Sequence, residues 1–176
     1  MTAAEDSAAT ATPSLRRRLA AFVYEGVLLF GVLMLAALAY GLATQQRHAL
    51  VGMHGLQAFL FLVLGLYFGW FWSHGGQTVA MKTWHIRVQT KHGQPVSAAR
   101  AALRYLWSWL WFVPALLASY LWGVRSGGTV ALTLALGVLV YAVSTRLNPQ
   151  RQYWHDLLSG TRLVQLRPPG KMNRSK

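Results

Sequence analysis

The chain has no cysteine and only four acidic residues among its 176. The first absence excludes disulfides, thiolate metal sites and thiol chemistry. The second confines carboxylate chemistry to two positions. Glu5 and Asp6 lie in the N-terminal tail, which leaves Glu25 and Asp156 in the body. There is no Gly-x-Ser-x-Gly elbow, phosphate-binding loop or catalytic carboxylate pair, so an enzyme is not expected. The six histidines are scattered. His48 and His54 share a loop without an acid, His74 ends an apolar run, His85 and His92 flank a turn, and His155 adjoins Asp156. That pattern predicts neither a metal site nor a cofactor.

Apolar and basic residues fill the space. Hydrophobic residues make up 54% of the chain and charged residues 12%, low for a soluble domain, which points to a membrane class. Four apolar runs are each about long enough to cross ~30 Å of hydrocarbon. They cover about Leu19 to Ala43, Leu56 to Trp72, Leu103 to Trp122 with a kink expected at Pro114, and Thr129 to Ser144. The first has a basic start and an Ala-Leu-Ala at 37–39, but it is too long for a signal peptide's apolar region and contains Glu25. It is therefore expected to remain as a helix. Residues 1–14 read as a disordered tail, 15–166 as the transmembrane domain and 167–176 as a basic tail.

Net charge is +13, and the seventeen Lys and Arg residues are unevenly placed. Arg16, Arg17 and Arg18 precede the first run. Lys82, Arg87, Lys91, Arg100 and Arg104 lie between the second and third. Seven more follow the fourth, and only Arg47 and Arg125 fall in the other two loops. Four crossings with both termini inside put fifteen bases on the cytoplasmic face, a strong positive-inside pattern. The bases flank apolar runs instead of forming a soluble basic face. The expected partner is thus the bilayer, with anionic lipid at the cytoplasmic face, and not nucleic acid. Most tryptophans and tyrosines near the run ends, including Trp72, Tyr105, Trp107, Trp109 and Trp111, read as interfacial belt residues. Gly65 and Gly69 form a GxxxG that permits close helix contact. It serves packing within one bundle or, alternatively, a homo-oligomer.

The basic inner loop has a pattern of its own. In TWHIRVQT, residues 83–90, Trp84, Ile86 and Val88 alternate with His85, Arg87 and Gln89, the period of a half-buried strand. Gly93 supplies a turn, Val96 begins a short return and Ser97 caps the next helix. TRLVQL at 161–166 is a second strand. The predicted fold is therefore an all-α membrane protein of four transmembrane helices, with a small cytoplasmic β-hairpin or short sheet layer.

Glu25 lies about 9 Å of helix rise inside the first run, where an unpaired charge is costly. Such a group faces the bundle interior and finds partners. Arg18 is on nearly the same helix face, two turns earlier, and Arg104 enters the third run at the same level. Asp156 sits in an amphipathic turn near the interface, with Arg18, Arg104 and Arg151 as partners in reach. Arg18, Glu25, Arg104 and Asp156 are thus expected to converge, and His155 beside them reads as a surface histidine or, alternatively, as a candidate proton relay.

RLAAFVYE at 18–25, GGQTVAMKTWHIRVQTKHGQPVSAARAALRYL at 75–106 and RQYWHDLLSGTRLV at 151–164 together resemble RDD-family membrane proteins, named for one arginine and two aspartates. The resemblance implies that Arg18 is the family arginine and Asp156 the second aspartate, with Glu25 where the first aspartate belongs. Its Gly-Gln-Thr and Gly-Thr elements add Gln77, Thr78 and Thr161 as secondary site candidates. Ala80 stands where many members have glycine, which puts a tight backbone approach there in question. The resemblance also implies a bacterial inner membrane, in which the basic loops put both termini on the cytoplasmic side. Two functions are expected: transport of a small ion or solute with the charged residues as an ion or proton site, or a structural or assembly role in which they only hold shape.

Overall fold

The computed structural model describes residues 11–45 and 52–166. Most of the N-terminal tail, Arg47 and His48 of the loop after the first apolar run, and the basic tail lie outside the described residues. The first helix, α1 (Leu15–Ala43), begins four residues before the apolar run because Ser14 caps it, its hydroxyl accepting from the Arg17 N–H at 3.4 Å. There follow α2 (Met53–Ser73), α3 (Val79–Thr83), β1 (Ile86–Thr90) and α4 (Ala98–Ser108), which Ser97 caps as expected. A 3₁₀ turn at Trp109–Trp111 leads into α5 (Val113–Leu121), whose first turn holds Pro114. Proline lacks the N–H that a continuous helix needs, so the third span bends there. The chain closes with α6 (Gly127–Ser144), a 3₁₀ turn at Thr145–Leu147, α7 (Trp154–Leu158) and β2 (Thr161–Gln165). Four stretches are long and apolar enough to cross a membrane: α1, α2, α4 with α5, and α6 with the turn after it.

Burial is inverted relative to a soluble protein. Leu35, Leu42, Leu66 and Leu121 are 71, 73, 74 and 72% exposed, whereas Arg18, Glu25, Arg104 and Asp156 are 5, 8, 5 and 0% exposed. Apolar side chains outside and charges inside fit a hydrocarbon solvent. The belt assignment needs correction at three residues. Trp72, Tyr105 and Trp111 are buried in the core, where Trp111 stacks on Phe22 of α1 at 4.6 Å between ring centroids. Trp70, Trp107, Tyr120 and Trp122 are exposed, as interfacial residues would be.

The strands form an antiparallel pair running from Ile86 opposite Gln165 to Thr90 opposite Thr161. This is a two-stranded sheet between distant segments and not a hairpin. Gly93, at φ +79°, turns the chain out of β1, but the residues after it make no return strand. Instead, buried Val96 anchors the approach to α4. Ile86 and Val88 face the core and Arg87 faces out, as the alternation predicts. Trp84 and His85 fall before the strand, because Thr78 caps the short α3 there. The sheet's free edges are covered. Gly76 O accepts from the Val88 N–H at 2.7 Å and Ala11 O from the Gln165 N–H at 2.9 Å. Residues 11–14 of the expected tail are therefore docked, with the Thr12 hydroxyl accepting from Gln152 at 3.0 Å.

Glycines set two close approaches. An ideal Cβ on Gly65 would lie 3.1 Å from the Tyr105 ring, so this glycine serves packing of α2 on α4 within one chain, while Gly69 has open space. A Cβ on Gly137 of α6 would lie 2.6 Å from the Ala115 Cβ of α5, and neither helix can yield without moving its backbone. Gly137→Ala should therefore lower stability by about 1–3 kcal/mol through overpacking. Gly31→Ala, which meets nothing within 4 Å, should be neutral or slightly stabilising. Thermal unfolding of both variants in detergent checks this. Equal melting temperatures would show that α5 and α6 are not in close contact.

Candidate functional site

The layer of α3, the sheet and α7 closes one end of the bundle, and the predicted charged residues meet there. They divide into two separate clusters and do not close into one network.

The first cluster surrounds Glu25. The Gly-Gln-Thr motif builds its floor. Gly76, at φ +72°, makes the turn out of α2, and a Cβ there would meet the Val88 carbonyl. Gln77 then ties the turn to β1, its amide donating to Ile86 O at 2.7 Å. Thr78 does two jobs with one hydroxyl. It accepts from the Met81 N–H at 3.2 Å, capping α3, and donates to Glu25 Oε2. Ala80 is fully buried in α3, so the fold accommodates its methyl group. The other carboxylate oxygen, Oε1, accepts from the Tyr67 hydroxyl of α2 at 2.6 Å. Two neutral hydroxyls thus hold Glu25, and among the described residues it has no ion-pair partner. The expected approach of Arg18 and Arg104 to Glu25 is corrected: both line the same cavity but neither bonds to it. Tyr67 is the partner that sequence reasoning missed. Its only signal was a hydroxyl-bearing side chain within an apolar helix.

The second cluster is centred on Asp156. Arg104 Nε donates to Asp156 Oδ1 at 2.8 Å, and the Thr161 hydroxyl donates to the same oxygen at 3.1 Å. Burial alone would raise the Asp156 carboxyl, but the adjacent Arg104 guanidinium outweighs it and holds the group below the usual carboxylate range. His155 is 2% exposed and not a surface residue. Burial pushes its imidazole down to about 3, so it is neutral at pH 7. A guanidinium only donates. The 3.3 Å contact from Arg104 Nη2 therefore makes His155 Nε2 an acceptor, and Nδ1 carries the hydrogen toward the Tyr141 hydroxyl at 2.9 Å. The neutral imidazole thus links the Arg104 guanidinium to the Tyr141 hydroxyl. Trp72 completes the enclosure, with the Arg104 guanidinium 4.1 Å from its ring centroid.

Arg18 bonds to neither Glu25 nor Asp156. Its Nη1 donates to the backbone carbonyl of Arg151 at 2.9 Å, and its guanidinium lies 4.5 Å from the Tyr153 ring centroid. Burial pushes the Tyr153 hydroxyl up to about 12, so the ring stays neutral beneath the cation. Arg151 thus contributes its backbone and not its charge. Gln152, which sequence reasoning also missed, clasps β2. Its amide donates to Leu163 O at 3.0 Å and accepts from the Leu163 N–H at 2.9 Å.

Between the clusters lies a cavity of about 360 Å³, to which Arg18, Glu25, Thr78, Arg104 and His155 all contribute. Among the described residues no three His, Asp or Glu side chains come together as a metal site would require. No match was found among curated proteins or solved structures. The profile of the RDD family matches residues 12–160, a span that contains Arg18, Glu25, Arg104 and Asp156 and ends one residue before Thr161, and the chain belongs to that family.

Proposed function

We propose that the chain transports a small ion or solute across a bacterial inner membrane, with Glu25 as the exchanging carboxylate. Both termini face the cytoplasm in this reading. It is supported by the chain topology, which brings every described base except Arg125 to the end of the bundle closed by the sheet layer. The observation that carries the proposal is the way Glu25 is held. A carboxylate closed into an arginine ion pair has its charge already matched. Glu25 instead receives two neutral hydroxyl donors beside a cavity, so its charge remains available to a proton or small cation. The proposal involves no catalytic step. Surface attraction to anionic lipid comes from the same basic end. Association between copies would use the Gly69 side of α2, because Tyr105 of the same chain occupies Gly65.

The assembly-partner reading rests on the other cluster. Arg104–Asp156 is a buried pair that fastens α4 to α7 and β2, as a purely structural clamp would. A flux assay in proteoliposomes at several pH values separates the two readings. Under transport, Glu25→Gln reduces flux to that of protein-free vesicles while the variant still inserts and melts cooperatively, and Tyr67→Phe lowers flux partially. If wild-type vesicles conduct nothing under any gradient and Glu25→Gln only lowers the melting temperature, transport is wrong and the structural role stands.

A further inference from the structure

The cavity has two ends of different chemistry. At the layer end, the Arg18 Nε and Trp72 Nε1 groups are buried, and among the described residues neither has a hydrogen-bond partner. Both residues line the cavity. Guanidinium and indole nitrogens only donate, so the missing partner is an acceptor. Arg18 is 5% exposed and makes no ion pair among the described residues, so its charge has no counter-ion in contact and feels Asp156 only at longer range. A buried charge without one is costly.

The other end is apolar. The α1 wall climbs from Phe22 through Gly26 and Leu29 to Leu33, and Leu64 and Phe68 of α2 face it. Phe22 stacks on Trp111 at the layer end. Above that contact, Leu29 and Leu33 are only half-buried and Gly26 is exposed, so the cavity is open along the side of α1. From Phe22 to Leu33 the helix rises about 16 Å. Half of the ~30 Å hydrocarbon core is about 15 Å, so the apolar wall is one leaflet deep.

We propose that this side-opening cleft binds an anionic membrane lipid, with one acyl chain along Leu29 and Leu33 and its phosphate group at Arg18. A volume of about 360 Å³ suits partial enclosure of such a ligand, being at the small end of the ~300–1,000 Å³ typical of binding pockets. This site is distinct from non-specific attraction at the basic surface, because the donors are buried and the chain wall is apolar. The inference does not depend on ion transport.

Native mass spectrometry of the full chain tests it, after release from detergent containing equal amounts of phosphatidylglycerol and phosphatidylcholine. One phosphatidylglycerol should be retained in preference to phosphatidylcholine. Arg18→Gln, which removes the counter-charge, and Leu29→Trp, which fills the apolar arm, should each weaken retention by about tenfold or more. If Arg18→Gln does not fold, Leu29→Trp decides alone. Equal retention of the two lipids overturns the proposal, as does unchanged retention by Leu29→Trp. Complete displacement of phosphatidylglycerol by palmitate also overturns it, because the ligand would then be a free carboxylate. Binding lost with flux intact removes this inference alone, and a silent Glu25→Gln with lipid retained removes only the transport reading.

Discussion

Asp156→Asn should destabilise the chain by about 3–5 kcal/mol, because it removes one member of a buried ion pair and leaves the other in place. Arg104 is 5% exposed and Asp156 is fully enclosed, so water cannot solvate the guanidinium left behind. The neutral amide keeps the shape of the carboxylate but not its charge, and one of its two ends faces donors with hydrogens of its own. The loss reaches beyond one contact. Asp156 Oδ1 also accepts from Thr161 at the start of β2, so α4, α7 and the sheet are fastened at a single atom. A double replacement, Arg104→Met with Asp156→Leu, removes both charges and should cost much less than the two single changes added together. Unfolding of all the variants in one detergent measures that coupling. If Asp156→Asn melts with the wild type, the pair is not buried as described.

Acid should unfold the protein earlier than its carboxylates alone would require. The His155 imidazole falls from an ordinary 6.5 to about 3 because it is fully enclosed. The sign follows from which state binds the proton. Between those values the unfolded chain takes up a proton that the folded chain refuses, so lowering the pH favours unfolding. The contribution is absent above about pH 6.5, grows by roughly 1.4 kcal/mol for each pH unit below it, and reaches the order of 5 kcal/mol near pH 3. Asp156 acts in a lower window. Its folded carboxyl is depressed, so its contribution is complete above the unfolded value of about 4 and is lost as the pH falls further. His155→Gln removes the titrating group, and the variant's stability should be nearly flat between pH 6.5 and about 4.5. Detergent melts across that range check the slope. An identical slope in wild type and variant would place the acid sensitivity elsewhere.

Four spans, the basic end of the bundle, the bend at Pro114, the strand alternation of Ile86 and Val88 and the Ser97 cap were legible in the sequence. Each is written locally. A hydrophobic run, a missing N–H, a period of two or a hydroxyl before a helix acts through neighbours within one or two turns. The short α3 was missed, since five residues between a turn and a strand carry too little periodicity. Membership of Arg18, Glu25, Arg104 and Asp156 in one end of the fold was also legible, because buried charges on apolar helices are few and must lie near the interface or one another.

Tertiary structure alone decided which charge meets which partner. Arg18, Arg104 and Arg151 all stood within plausible reach of Asp156, and linear spacing does not rank them. The ranking depends on angstrom-scale placement of α4 against α7, which brings Arg104 Nε to 2.8 Å and leaves Arg18 over Tyr153. Glu25 shows the same limit from the other side. The sequence established that a carboxylate inside an apolar helix needs partners. That these are the hydroxyls of Tyr67 and Thr78 follows from how α2 and α3 pack on α1, because hydrogen bonds form between atoms that the folded backbone brings within about 3 Å, whatever their separation along the chain.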